Sequence, residues 1–135
     1  METLKLDNDV KVFCTTAKSF PDGIQEAFIT LDKMLSKEGR SFYGISYFNE
    51  RGGITYKAAV TENFEGEADN YGFESLTIPK GEYLSVTIKD WMQQISAIGE
   101  TFKKLLKEPG IDTSCSCIEW YKSDKELTCM MKLKK

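Results

Sequence analysis

Two stretches of the chain carry apolar residues at helical spacing. Over residues 22–39, DGIQEAFITLDKMLSKEG, they fall at Ile24, Ala27, Phe28, Leu31, Met34 and Leu35, the three-and-four rhythm of one helix face. Over residues 93–110, QQISAIGETFKKLLKEPG, Ile95, Ile98, Phe102, Leu105 and Leu106 repeat that rhythm. Each stretch ends in glycine, a favoured residue just past a helix end. The other apolar runs are rich in aromatic and β-branched residues and are broken by ERGG (50–53) and KSDKE (122–126), which predicts two hairpins. Between the halves, ENFEGEADNYG (62–72) reads as an acidic, glycine-containing loop. It leads into a short strand, FESLTI (73–78), and the turn PKG.

The two halves match in order. Ile24/Ile95, Thr30/Thr101, Lys33/Lys104, Leu35/Leu106 and Gly39/Gly110 are each 71 residues apart. The preceding strands keep that offset, with VFCTTAKSF (12–20) over YLSVTIKDW (83–91) and Thr16/Thr87 and Lys18/Lys89 identical. After the helices the offset becomes 73, placing ISYFN (45–49) over IEWYK (118–122) and GIT (53–55) over ELT (126–128). Self-similarity over whole units signals duplication. The expectation is one domain, 1–135, made of two strand-helix-strand-strand repeats, about 10–62 and about 73–135. The fold class is α+β: a curved antiparallel sheet with two helices on one face and a groove on the other.

Alternation along the strands sorts side chains by face. A turn at Asp124-Lys125 sets Trp120 opposite Cys129. Ile118, Trp120, Leu127, Cys129, Met131 and Leu133 then lie under the helices. Cys115, Cys117, Glu119, Tyr121, Thr128, Met130 and Lys132 share the second face. A turn at Arg51-Gly52 likewise puts Ile45, Tyr47, Ile54, Tyr56, Ala58 and Val60 under the helices, and Phe42, Gly44, Ser46, Phe48, Thr55, Lys57 and Ala59 opposite. In the first strands Phe13, Ala17, Leu84, Val86 and Ile88 join the helix side. Val12, Cys14, Thr16, Tyr83, Ser85 and Thr87 join the second, which is too aromatic for a plain solvent surface. Tyr47, Tyr56 and Trp120 read as core aromatics whose polar tips reach a partner. Trp91 either caps the second helix or lines the groove.

Composition narrows the function classes. A net charge of -3 and a pI near 5.1 disfavour a nucleic-acid surface, which needs a basic stripe. The N-terminus METLKLDNDVKV has no apolar run, so no signal peptide is expected. No segment approaches the roughly 20 apolar residues of a membrane span. The expected compartment is the cytoplasm, with four reduced cysteines. The chain has no histidine, which removes the commonest general base and metal ligand.

Cys115 and Cys117 sit two strand positions apart, roughly 6.5 to 7 Å between Cα atoms, at the limit for a disulfide. With Cys129 placed on the other face and no C-x2-4-C spacing, a zinc site is not expected. The cysteines read as small buried hydrophobes. Glu119 has two readings. It is solvated or paired with Lys57 or Lys132, or it is a carboxylate in a groove with Phe42, Phe48, Tyr83 and Tyr121 that attracts an organic cation. Its repeat mate is Ser46, so the carboxylate belongs to the second half alone.

GITYKAAV (53–60), IPKGEYLSV (78–86) and IEWY (118–121) together resemble the GyrI-like small-molecule-binding domains, the effector-binding domains of multidrug-responsive bacterial transcription regulators. The resemblance spans about residues 9 to 134. It implies ligand contacts from Glu119, Tyr121 and Tyr83, to which the groove reading adds Phe42, Phe48, Cys117 and Trp91. DWMQQ (90–94) departs from the glycine-containing turn of the family. No helix-turn-helix accompanies the domain, so direct DNA binding is not expected. The resemblance implies a stand-alone module that senses or sequesters a cationic or amphipathic aromatic compound; no cofactor or metal is expected. Two alternatives stay open. One is a hydrolase of reactive electrophiles using Glu119 and Tyr121; the other is a protein-interaction module acting on a regulator or a topoisomerase such as gyrase.

Overall fold

Both helices and both hairpins form where the patterning places them. The computed structural model describes residues 1–20, 22–34, 40–123 and 125–134. The order is β1 (Glu2–Leu6), β2 (Val10–Thr16), α1 (Ile24–Met34), β3 (Phe42–Phe48), β4 (Ile54–Thr61), α2 (Glu67–Tyr71), β5 (Glu74–Ile78), β6 (Gly81–Lys89), α3 (Ile95–Leu106), β7 (Cys117–Tyr121) and β8 (Glu126–Lys132). Leu35 and Gly39 at the expected end of α1, and Asp124 in the expected second turn, lie outside the described residues. All strands join one antiparallel sheet in the order β1-β6-β8-β7-β3-β4-β2-β5. The two hairpins therefore meet at the β3–β7 pair, and the strand order reads symmetrically outward from it. Among the described residues no helix is long and apolar enough to cross a membrane.

The helices pack on one face of the sheet. Ala27 and Leu31 of α1 bury against Phe13, Ala58 and Val60. Phe102 and Leu105 of α3 bury against Leu127, Cys129 and Met131. The opposite face is covered by the sheet itself, which curls into a half-barrel. Val12, Tyr43, Tyr83 and Met130 form one buried cluster there, joined by Leu4 and Leu6 from one edge and Leu76 near the other.

The hairpin registers differ from expectation by one residue. Phe48 pairs with Ile54, and Trp120 pairs with Thr128 instead of Cys129. Each loop holds three residues where two were expected. In the first, Asn49 Oδ1 accepts the N–H groups of Arg51 and Gly53 at 3.0 and 3.1 Å, and Gly52 takes φ 82°. Three-residue hairpins commonly end on such a left-handed residue. In the second, Ser123 Oγ accepts from Lys125 and Glu126 N–H, both at 3.1 Å.

A one-residue slip turns a strand's side chains over relative to its partner. Here β3 and β7 turn over while β4 and β8 keep their expected faces. Trp120, expected under the helices, instead stacks on Tyr43 across 6.1 Å on the far side. Ile45 and Ile118 bury beside them. Phe42, Gly44, Ser46, Phe48, Cys117, Glu119 and Tyr121 come to the helix-bearing face. The groove accordingly opens between the two helices and not on the opposite face.

Two elements escaped the patterning. Strand β1 pairs along β6, and α2 interrupts the acidic loop. Helix α2 begins with Glu67, whose side chain is 1% exposed. Its carboxylate takes both terminal nitrogens of Arg40, with Nη1 at 3.0 Å, and the Asn63 N–H at 2.8 Å. The Arg40 hydrogen bonds hold this carboxyl below the ordinary glutamate range. Glu67→Ala should cost about 3–5 kcal/mol, the scale of removing one member of a buried ion pair, because it takes away the carboxylate that holds both terminal nitrogens of Arg40 and the Asn63 N–H. Urea unfolding measures the loss. A group whose folded pKa is lowered adds stability that is present at neutral pH and vanishes as pH falls through that lowered value. The gap between the two proteins should therefore narrow in acid.

Candidate functional site

The groove is a cavity of about 1610 Å³ with its floor on β3, β7 and β8 and its walls on α1, α3 and the residues ahead of each helix. Ordinary ligand pockets hold about 300–1,000 Å³. This one is larger because it runs as an open trough between the helices. The α1 wall presents Phe20, Ile24 and Phe28; the α3 wall presents Trp91, Ile95 and Ile98.

Glu119 lies in the floor. Register places it between Gly44 of β3 and Cys129 of β8, and it is 9% exposed. Its Oε1 accepts two phenol hydroxyls, from Tyr56 at 2.8 Å and from Tyr121. The two hydroxyls are 3.2 Å apart. Oε2 has no donor among the described residues, and the carboxyl lines the cavity. Neither lysine considered as a partner reaches it. Lys57 Nζ holds Glu74 at 2.6 and 2.7 Å on the far face, and Lys132 Nζ donates to the Leu133 carbonyl. Among the described residues Glu119 forms no ion pair.

Burial therefore acts on this carboxyl with little to oppose it. Desolvation raises its pKa above the ordinary value, and the Tyr121 and Tyr56 hydroxyls pull it back only in part. The same burial, with the nearby carboxylate, raises both phenols, which stay protonated donors. Cys117 is pushed up to about 11 and Cys129 to about 12, mainly by desolvation. They are neutral thiols at physiological pH, poor nucleophiles and poor anions.

Tyr56 reaches Glu119 because β3 carries glycine at position 44. A Cβ there would stand 2.0 Å from Tyr56 Oη and 2.7 Å from Glu119 Oε1. Glycine inside a strand marks a close approach of this kind.

The aromatic rings arrange around the acid. Phe28 meets Tyr121 edge-on at 5.4 Å from the α1 side, and Trp91 meets it edge-on at 5.2 Å from the α3 side. Phe28 also contacts Phe42 and Tyr56, and Phe20 stacks on Tyr56 at 5.9 Å. Trp91 belongs to a 3-10 turn, Trp91–Gln93, and its indole N–H donates to the Ser123 carbonyl at 3.1 Å. The turn follows Asp90 at φ 53°, a conformation non-glycine residues rarely take.

Of the residues singled out in the sequence, Glu119, Tyr121, Phe42, Phe48, Cys117 and Trp91 share this cavity. Tyr83 does not. It is fully buried inside the curl of the sheet, where its hydroxyl donates to the Pro79 carbonyl at 2.6 Å. Cys117 and Cys129, expected on opposite faces, share the helix-bearing one. All four cysteines are free thiols, and among the described residues no cluster of His, Cys, Asp or Glu is arranged for a metal. Sequence reasoning missed Phe20 and Phe28 as groove walls and Tyr56 as the second donor to Glu119. The signal for Tyr56 was Gly44, a strand glycine that needs something packed against it.

No family model matches the chain, and no curated protein matches it. Solved structures match almost end to end, and three illustrate the likeness. An integron cassette protein from the mobile metagenome of Vibrio cholerae superposes with a TM-score of 0.71 at 12% identity, covering 98% of this chain and 95% of that one. A protein solved bound to tetraphenylphosphonium superposes with a TM-score of 0.65 at 14% identity, covering 98% and 93%. A candidate bacterial transcription regulation protein from Staphylococcus aureus gives 0.60 at 13% identity, covering 99% and 97%. This chain shares their fold.

Two outcomes follow from the geometry. Gly44→Ala should separate Tyr56 from Glu119 and cost about 1–3 kcal/mol in urea unfolding, the usual penalty of overpacking. A carboxyl whose folded pKa is raised keeps its proton longer folded than unfolded, so its contribution to stability declines as pH rises past the ordinary glutamate range. Glu119→Gln removes that decline. The stability of the variant relative to the parent should grow from acid to neutral pH, as read from paired urea titrations.

Proposed function

We propose that the groove binds an amphipathic aromatic cation, with Glu119 supplying the charge and Phe28, Phe42, Tyr121 and Trp91 the stacking surface. One observation carries this reading: a carboxyl nine-tenths enclosed in the lining of an aromatic trough, with both its donors on one oxygen and, among the described residues, no cation paired to it. Buried charges are ordinarily paired, and aromatic faces attract cations. A cation between them meets both needs. Tetraphenylphosphonium in a protein of the same fold supports this ligand class.

The GyrI-like resemblance of GITYKAAV, IPKGEYLSV and IEWY points the same way. On this reading the chain is a stand-alone module that senses or sequesters its ligand, and its two β-α-β-β units are the product of duplication. Tyr83 takes no part in ligand contact on this reading. Turnover of an electrophile, lost in Glu119→Gln, would instead assign the carboxyl to general-base chemistry.

The test compares tetraphenylphosphonium with triphenylphosphine oxide, a neutral compound with similar rings. Glu119→Gln should weaken the cation about tenfold or more, the scale of removing one member of a buried charge pair, and leave the neutral compound within about twofold. Equal loss for both would reject the charge role.

A further inference from the structure

Tyr56 lies outside the cavity lining, is 1% exposed, and donates to the same oxygen of Glu119 as Tyr121 does. Two donors on Oε1 fix the rotation of the carboxyl, and Oε2, which takes no donor among the described residues, is left as the oxygen that is not fully enclosed in this cavity-lining group. A neutral carboxylic acid fits this arrangement without strain, with Oε1 as the carbonyl that accepts both phenols and Oε2 as the hydroxyl.

The groups around the acid do not supply a countercharge. Cys117 beside it on β7 and Cys129 opposite it on β8 are neutral thiols, and Ser46 lies next along β3. Asp22 ahead of α1 and Lys103 of α3 stand on the cavity wall. Arg40 is held by Glu67, and Lys122 lies 4.7 Å over the Trp120 ring. None forms an ion pair with Glu119 among the described residues.

We propose that Tyr56 is a positioning residue: through the space left by Gly44 it holds Oε1 so that Oε2 becomes the atom where a proton is traded for a bound cation. The exchange balances simply. The neutral acid releases one proton to solvent, the carboxylate formed pairs with the entering cation, and no other bond changes. The inference rests on the groove being a cation site and adds how its charge is managed. It fits the burial of Glu119, which favours the protonated acid when the trough is empty. Affinity for a cation then rises with pH and levels off once the empty site is ionised. A hydrogen bond from Tyr56 favours the ionised form, so removing it moves the rise to higher pH.

Isothermal titration calorimetry with tetraphenylphosphonium, in buffers of different ionisation enthalpy, counts the protons released. The intact chain should release close to one proton per cation bound at low pH and progressively fewer as pH rises. Tyr56→Phe keeps the ring that stacks with Phe20. It should weaken the cation about tenfold on the low-pH limb, a value set by one hydrogen bond to a charged group. At the high-pH plateau it should match the parent, and triphenylphosphine oxide should bind both equally at every pH. Glu119→Gln should release no proton. Binding without proton release, or a Tyr56→Phe loss that is uniform in pH, overturns this proposal while leaving the cation reading intact. No phosphonium binding at any pH overturns both.

Discussion

Glu119 occupies a place where an ionised carboxylate loses several kcal/mol of solvation, and among the described residues two phenol hydroxyls alone offset that loss. Much of the groove is arranged around this imbalance. Tyr56 can reach the acid because Gly44 has no side chain. Tyr121 is held in place by rings from both helices, Phe28 on one side and Trp91 on the other. Both hydroxyls converge on one oxygen, and the second is not fully enclosed. The protein thus keeps a charge-capable group in the floor of an aromatic cleft and, among the described residues, pairs it with no cation.

The curl of the sheet makes such a cleft affordable in structural terms. Its far face needs no covering layer, because Val12, Tyr43, Tyr83, Ile118 and Met130 bury one another inside the half-barrel. The helices are then free to stand apart on the other face. Each covers its own strands, α1 over β2 and β4 and α3 over β6 and β8. The central pair β3–β7 lies beneath the space between them, and Glu119 lies on that pair. The ligand-sized space is therefore a product of topology, and the inner strands supply its chemistry.

The helices, the hairpins and the shared face of Phe42, Phe48, Cys117, Glu119 and Tyr121 were legible from periodicity alone. The side of the sheet on which that face lies was not. It depends on whether each hairpin loop holds two residues or three, and parity flips every side chain. Asn49 and Gly52 in one loop and Ser123 in the other decide it through local hydrogen bonds and one left-handed glycine. Tyr83 was misplaced for a related reason. It shares a face with the groove candidates only under the expected two-residue turns; in the observed register they turn to the helix side, and Tyr83 stays on the far face, where the curl buries it. Strand β1 and helix α2 were hidden because five residues give too little periodicity to separate them from loop.

The most direct check on this account is a carbon-13 NMR titration of the Glu119 side-chain carboxyl, assigned by its loss in Glu119→Gln, with and without tetraphenylphosphonium. The account predicts a midpoint above the ordinary glutamate range in the empty protein, and a clear fall when the phosphonium binds. A midpoint in the ordinary range that the ligand does not move would contradict it.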